Sequence, residues 1–175
     1  MRRLDKYAAI RHAVITTFAR DGFRICHLSI QRTHVHLLVE ADDRMKLARG
    51  MQSFQISAAR HLNAIAQRHG AVFADRYHAD IITSPRRARH ALAYVLNDWR
   101  RHHERGGWRI DPFSSASSFN GWSAPVEPAV DPLPVWRPKS WLLSDGWRRH
   151  GRIDPGLVPG PRGRPTATWH APRSC

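Results

Sequence analysis

His34 and His36 flank Val35 in the segment THVHLLVE. On a strand, residues two apart share a face and stand about 6.6–7 Å apart along the chain. Val35, Leu37 and Val39 then turn toward packed helices, and His34 and His36 project from the other face with Leu38 and Glu40. Two imidazoles so placed can converge on one divalent cation if a third ligand arrives from elsewhere. The same pattern also describes two solvent-facing histidines in a chain that contains 12.

A second group of residues lies in SPRRARHALAYVLNDWRRHH. At about 100° per residue, Ala88, Leu92, Val95, Leu96 and Trp99 make one apolar stripe of a helix. Tyr94 falls on the opposite side, among Arg87, His90, Asn97, Asp98 and Arg101. A phenol has an ordinary pKa of about 10, so a nucleophilic tyrosine needs positive charge beside it or a metal that polarises its target. Arg87 and Arg101 offer charge. Asp98, one turn on and about 5–6 Å away by Cβ, offers a hard oxygen ligand. A carboxylate there raises the phenol's pKa unless a cation sits between them, which favours Asp98 as a ligand. A solvated polar face is the plainer reading of the helix taken alone.

The elements that must position these residues follow from periodicity. Leu4 to Arg20 repeats apolar residues near 3.6 and is stopped by Gly22, which predicts a helix. Phe23–Ile30 and Val35–Glu40 are β-branched and leucine-rich runs separated by QRTH, a strand pair. Asp42 or Asp43 caps a long helix to about Arg68 that Gly70 closes. A short strand follows near His78 to Thr83, and then Ser84 and Pro85 start the tyrosine helix, running to about His103. The order is helix, strand, strand, helix, strand, helix. This is an α+β, ferredoxin-like sandwich, an antiparallel sheet with helices on one face, lacking its first strand. Either a preceding segment or another part of the chain fills that slot.

Composition divides the chain near residue 111. Only Pro85 of the 12 prolines precedes that point, and the other eleven lie between Pro112 and Pro172. Proline supplies no amide donor and keeps the preceding residue out of the helical region. Residues 1–110 therefore read as the folded domain and 111–175 as a Pro/Gly/Trp-rich basic extension, largely irregular. Within it, Lys139 to His150 has two tryptophans and an apolar pair suited to docking on the domain.

Charge narrows the class. Lys and Arg number 28 against 14 Asp and Glu, a net charge of +14. That excess favours a polyanionic partner, nucleic acid first and an anionic membrane second. No apolar run spans a bilayer and no signal-peptide core follows Met1, so the expectation is a cytoplasmic protein without membrane insertion. Two cysteines, Cys26 and Cys175, make neither a disulfide framework nor a cysteine-rich zinc site.

In combination, HVHLLVEADDR, a long helix containing RGMQSF, then VFADRYHA and ALAYVLNDWRRH, in that order, resemble the single-tyrosine HUH transposases. These are the transposases of small insertion sequences and the REP-associated tyrosine transposases. The resemblance covers roughly residues 22–103. It implies that His34 and His36 are metal ligands, Tyr94 the nucleophile, and Asp98 the third ligand. The family more often has an amide at that last position, and Asn97 is an adjacent alternative. It further implies a Mg²⁺ or Mn²⁺ cofactor that orients the scissile phosphate. Single-stranded DNA beside a hairpin is then cut and rejoined through a 5′-phosphotyrosine. Metal-binding histidines must be neutral, so activity is expected to fall below about pH 6. Arg76, Tyr77, His78, Arg86, Arg87 and Arg101 are the expected DNA contacts, arginines tracking phosphates and Tyr77 or His78 stacking on an unpaired base. A homodimer is compatible with the family. A non-catalytic binder of structured nucleic acid is the competing function; a relaxase or replication initiator of the same superfamily is a more distant one.

Overall fold

The computed structural model describes residues 1–73, 77–102, 107–127, 129, 131–160 and the backbone of 167–170. Helix α1 (Leu4–Thr17) precedes strands β1 (Phe23–Ile30) and β2 (His34–Ala41). Helix α2 (Arg44–Ala66), the two-residue strand β3 (His78–Ala79) and helix α3 (Pro85–Arg101) follow. The extension adds a short helix α4 (Trp141–Ser144), two 3₁₀ turns and strand β4 (Ala167–His170).

Local chemistry sets the helix ends. The Asp43 side chain accepts a hydrogen bond from the Lys46 amide and starts α2; Ser84 does the same for α3 with the Arg87 amide, ahead of Pro85 in the first turn. Helix α2 ends at Gln67, which takes the left-handed conformation (φ 47°) that the sequence had suggested for Gly70 three residues on.

Strands β1 and β2 form an antiparallel pair with Phe23 opposite Ala41 and Ile30 opposite Val35. The register shifts between Ile25 and His27, leaving Cys26 as the extra residue of a bulge. The shift keeps Phe23 and Ile25 on the same face as Leu28 and Ile30, where α1 and α2 cover them with Val35 and Leu37. The sheet is four-stranded in the order β1-β2-β4-β3, antiparallel throughout. The sequence left the place of a leading strand empty. In the folded chain β4 lies between β2 and β3 and pairs with β2 from His34 to His36.

The ferredoxin-like arrangement holds, with α1 and α2 together on one face. Helix α3 is the exception to a one-sided layer, because its apolar stripe packs against Cys26 and Leu38 on the face that carries the histidines. The extension reinforces it there. Ala116, Phe119, Trp122, Leu143, Trp147 and Ile153 join the same buried cluster as Ala88, Leu92, Val95 and Leu96. The described residues of 111–160 thus have little regular structure yet contribute apolar side chains to a core, and Leu143 and Trp147 of the 139–150 island are buried in it.

Gly50 lies where α2 crosses β1. A Cβ there would sit 2.1 Å from the Phe23 ring, which is itself buried. Gly50→Ala is expected to cost about 1–3 kcal/mol through forced repacking, read as a lower midpoint in denaturant melts. An unchanged midpoint would show that the α2–β1 contact is loose.

Arg2 ties the N-terminus to the start of the extension. Its guanidinium donates to both Asp111 oxygens, at 2.8 and 3.0 Å, with both side chains almost fully buried. Removing one member of such a pair strands the other charge away from water. Asp111→Ala should therefore destabilise the fold by about 3–5 kcal/mol in the same assay.

Candidate active site

The site forms where β2 and α3 cross. His34 and His36 leave β2 two residues apart on the α3 side, and their Nε2 atoms approach to 2.9 Å. From α3, the Asp98 carboxylate reaches the same point, Oδ2 lying 3.0 Å from His36 Nε2. All three side chains are buried, and their ligating atoms lie within 4.8 Å of one another. Asp98 Oδ1 is buried without a hydrogen-bond partner. Two imidazole nitrogens, a carboxylate oxygen and a second oxygen without a hydrogen-bond partner among the described residues, all buried together, fit a divalent cation. Within the described residues this is the one such group of His, Cys, Asp and Glu.

Tyr94 is next to it. Its ring meets the His36 imidazole edge-on, centroids 5.1 Å apart. The Arg101 guanidinium lies 5.8 Å from the Tyr94 ring centroid. Burial, and then the negative charge of Asp98, push the phenol up to about 12, while Arg101 pulls the other way. For Asp98, burial favours the neutral acid. The hydrogen bond from His36 and the charges of His36, His102 and His34 outweigh it, and its pKa falls below the usual carboxylate range.

The choice between Asn97 and Asp98 is visible in the geometry. Asn97 turns away from the histidines and donates through Nδ2 to the Asp154 carbonyl at 3.0 Å, linking α3 to the extension. Both residues are buried, whereas the helical projection had set them on a polar face. The docked extension and β2 cover that face.

His102 was not singled out as a site residue from the sequence. Its Nε2 lies 3.2 Å from Asp98 Oδ2, one turn along α3, with the ring half exposed. Its i+4 spacing from Asp98 was the available signal, masked by the basic run RRHH around it. A side chain in that position can fix the orientation of the carboxylate.

The expected DNA contacts divide. Arg86, Arg87 and Arg101 are exposed on α3, the first two at its start and Arg101 beside Tyr94. Tyr77 packs partly against the core under α1 and α2. His78 is exposed on β3, 3.7 Å from Asp80. Arg76 lies outside the described residues.

The family model described as "Transposase IS200 like" matches residues 5–98, more than half of the chain. The chain belongs to the IS200-like transposase family. No curated protein and no solved structure gives a significant match.

Proposed function

We propose that the protein cleaves and rejoins single-stranded DNA next to hairpins, with Tyr94 as nucleophile and a divalent cation held by His34, His36 and Asp98. The observation that carries this reading is the meeting, within one chain, of a buried His–His–Asp cluster and a tyrosine ring 5.1 Å from His36. Either Mg²⁺ or Mn²⁺ suits the set, and when bound it supplies Lewis-acid polarisation of the scissile phosphate.

The chain's own groups do the rest. Tyr94 Oη attacks phosphorus in line. The P–O(Tyr) bond forms as the bond to the 3′ oxygen breaks, and the departing 3′ oxygen takes up a proton as the phenol gives one up. The product is a 5′-phosphotyrosine and a free 3′-OH, and because the ester conserves the bond, a second 3′-OH can reverse the step. Arg101, beside the Tyr94 ring, opposes the burial and the Asp98 charge that keep the phenol protonated. Exposed Arg86 and Arg87 track the phosphate backbone at the start of α3, and exposed His78 meets unpaired bases. His34, His36, Asp98 and Tyr94 come from one chain, and on this reading a homodimer would organise two DNA ends. None of the helices among the described residues is long and apolar enough to cross a membrane, and the reading places the protein with DNA in the cytoplasm.

The test is covalent capture. A 3′-labelled oligonucleotide carrying a hairpin and a single-stranded flank, incubated with the protein and Mn²⁺, should give a denaturant-resistant protein–DNA band, because the 5′-phosphotyrosine joins the protein to the 3′-side fragment. Hairpin binding that ignores chelator and never yields that band would favour a non-catalytic binder of structured nucleic acid instead.

A further inference from the structure

Helix α3 carries a ridge at every fourth residue: Arg86, His90, Tyr94, Asp98 and His102. The C-terminal half of the ridge meets the strand histidines. The N-terminal half is met by the extension. The Arg89 guanidinium donates to the backbone carbonyls of Gly151, at 2.9 Å, and Arg152, at 3.0 Å, while Trp147 is buried in the α3 cluster beneath them. This docking brings exposed His150 within electrostatic reach of exposed His90, on which Arg86 also acts, and Arg149 and Arg152, both exposed, lie within two residues of His150 in the chain. Arg149 is fixed in place, its guanidinium 4.7 Å from the centroid of the half-exposed Trp141 ring.

Like charges are gathered here against their own repulsion. His90 is held below its ordinary value by burial and then by Arg86, Arg89 and His150. Among the described residues, no carboxylate pairs with Arg86, Arg149 or His150. Concentrated positive potential of this kind is relieved by a polyanion. Arg86 lies eight residues before Tyr94, about 12 Å along the helix axis, so a strand bound at the cluster can continue directly to the tyrosine.

We propose that the N-terminal half of α3 and residues 139–152 form one DNA-contact surface that grips the backbone of the strand flanking the phosphodiester presented to Tyr94. The surface extends the substrate site beyond the residues shared with the family and gives the extension a function. It rests on the reading of Tyr94 as a DNA-directed nucleophile. Its partners on the DNA are phosphates, so it positions the strand and does not read sequence.

The experiment measures affinity of the full chain for the hairpin oligonucleotide across a salt series, by fluorescence anisotropy. The double variant Arg86→Gln/Arg149→Gln should bind more weakly. Its slope of log affinity against log salt should shrink by about 0.7–0.9 for each phosphate that the variant no longer neutralises. Arg86→Lys/Arg149→Lys, which keeps the charges, should restore the parental slope. Arg49→Gln/Arg60→Gln, two exposed arginines on α2 across the sheet, should leave it unchanged. A parental slope in the Gln pair overturns the proposal, as does an equal loss in the α2 pair. If the parent chain binds and forms the covalent band while the Gln pair is unaffected, only this surface falls. If the parent binds no DNA at all, the proposed function falls with it.

Discussion

Tyr94→Phe is expected to abolish the covalent protein–DNA band while leaving hairpin binding and thermal stability close to those of the parent. The substitution removes one oxygen. Phenylalanine keeps the ring that meets His36 edge-on and lies under Arg101, so packing on α3 changes little. Among the described residues, the neighbouring positions on the ridge are His90 and Asp98, and neither carries a hydroxyl. Burial and the Asp98 charge keep the phenol protonated up to about 12. A group whose pKa is raised gains its reactive, ionised form only as pH climbs. Band formation by the parent should accordingly increase with pH through the neutral and mildly alkaline range, and it should require the cation, whose charge offsets that of Asp98. Gel mobility under denaturing conditions, over a pH series with and without chelator, measures all of this. A phenylalanine variant that still forms the band would remove Tyr94 from the reaction.

The second large effect is expected from His36→Ala. His36 is the hub of the cluster, its Nε2 lying 2.9 Å from that of His34 and 3.0 Å from Asp98 Oδ2. Losing it deletes one of three candidate ligands. It also takes from the buried Asp98 carboxylate the His36 contact that most favours its ionised form, with the half-exposed His102 still 3.2 Å away. Calorimetric Mn²⁺ affinity should fall by more than about 100-fold, beyond the range seen when only an outer partner of a ligand is removed. His102→Ala, which removes such an outer partner, should lie within about 10–100-fold. Binding to the folded state alone raises stability by mass action, so Mn²⁺ should also raise the melting temperature of the parent and not of His36→Ala. Should His36→Ala fold poorly, His34→Ala gives the same comparison with the His36–Asp98 contact intact. Unchanged Mn²⁺ affinity in both would show that the cluster is a hydrogen-bonded structural element and no metal centre.

Much of this was legible because it depends on local rules. The strand pair, the caps at Asp43 and Ser84 and the apolar stripe of α3 follow from period, turn chemistry and side-chain hydrogen bonds within a few residues. His34 and His36 share a face because strand geometry allows nothing else. Tyr94 and Asp98 are neighbours because they are one helical turn apart. What these rules could not state was the environment. A helical projection gives a residue's direction and says nothing about what arrives there, so Asn97 and Asp98 looked exposed and are buried beneath β2 and the extension. The proline-rich region read as irregular, and its described residues between 111 and 160 have only one four-residue helix and two 3₁₀ turns. Trp122 and Trp147 nonetheless complete a core, because packing needs apolar area and not regular hydrogen bonding.

The sequence by itself determined the chemical groups of the candidate site: two imidazoles on one strand face, a phenol and a carboxylate one turn apart on a helix, and a strongly positive net charge. Each is a property of spacing along the chain. Only the tertiary structure decided that α3 lies on the histidine face, that Asp98 and not Asn97 meets the histidines, that His102 backs the carboxylate and that β4 takes the central place in the sheet. Those are contacts between residues tens of positions apart. They are selected by which apolar surfaces can be buried together, a property of the whole chain that no local window contains.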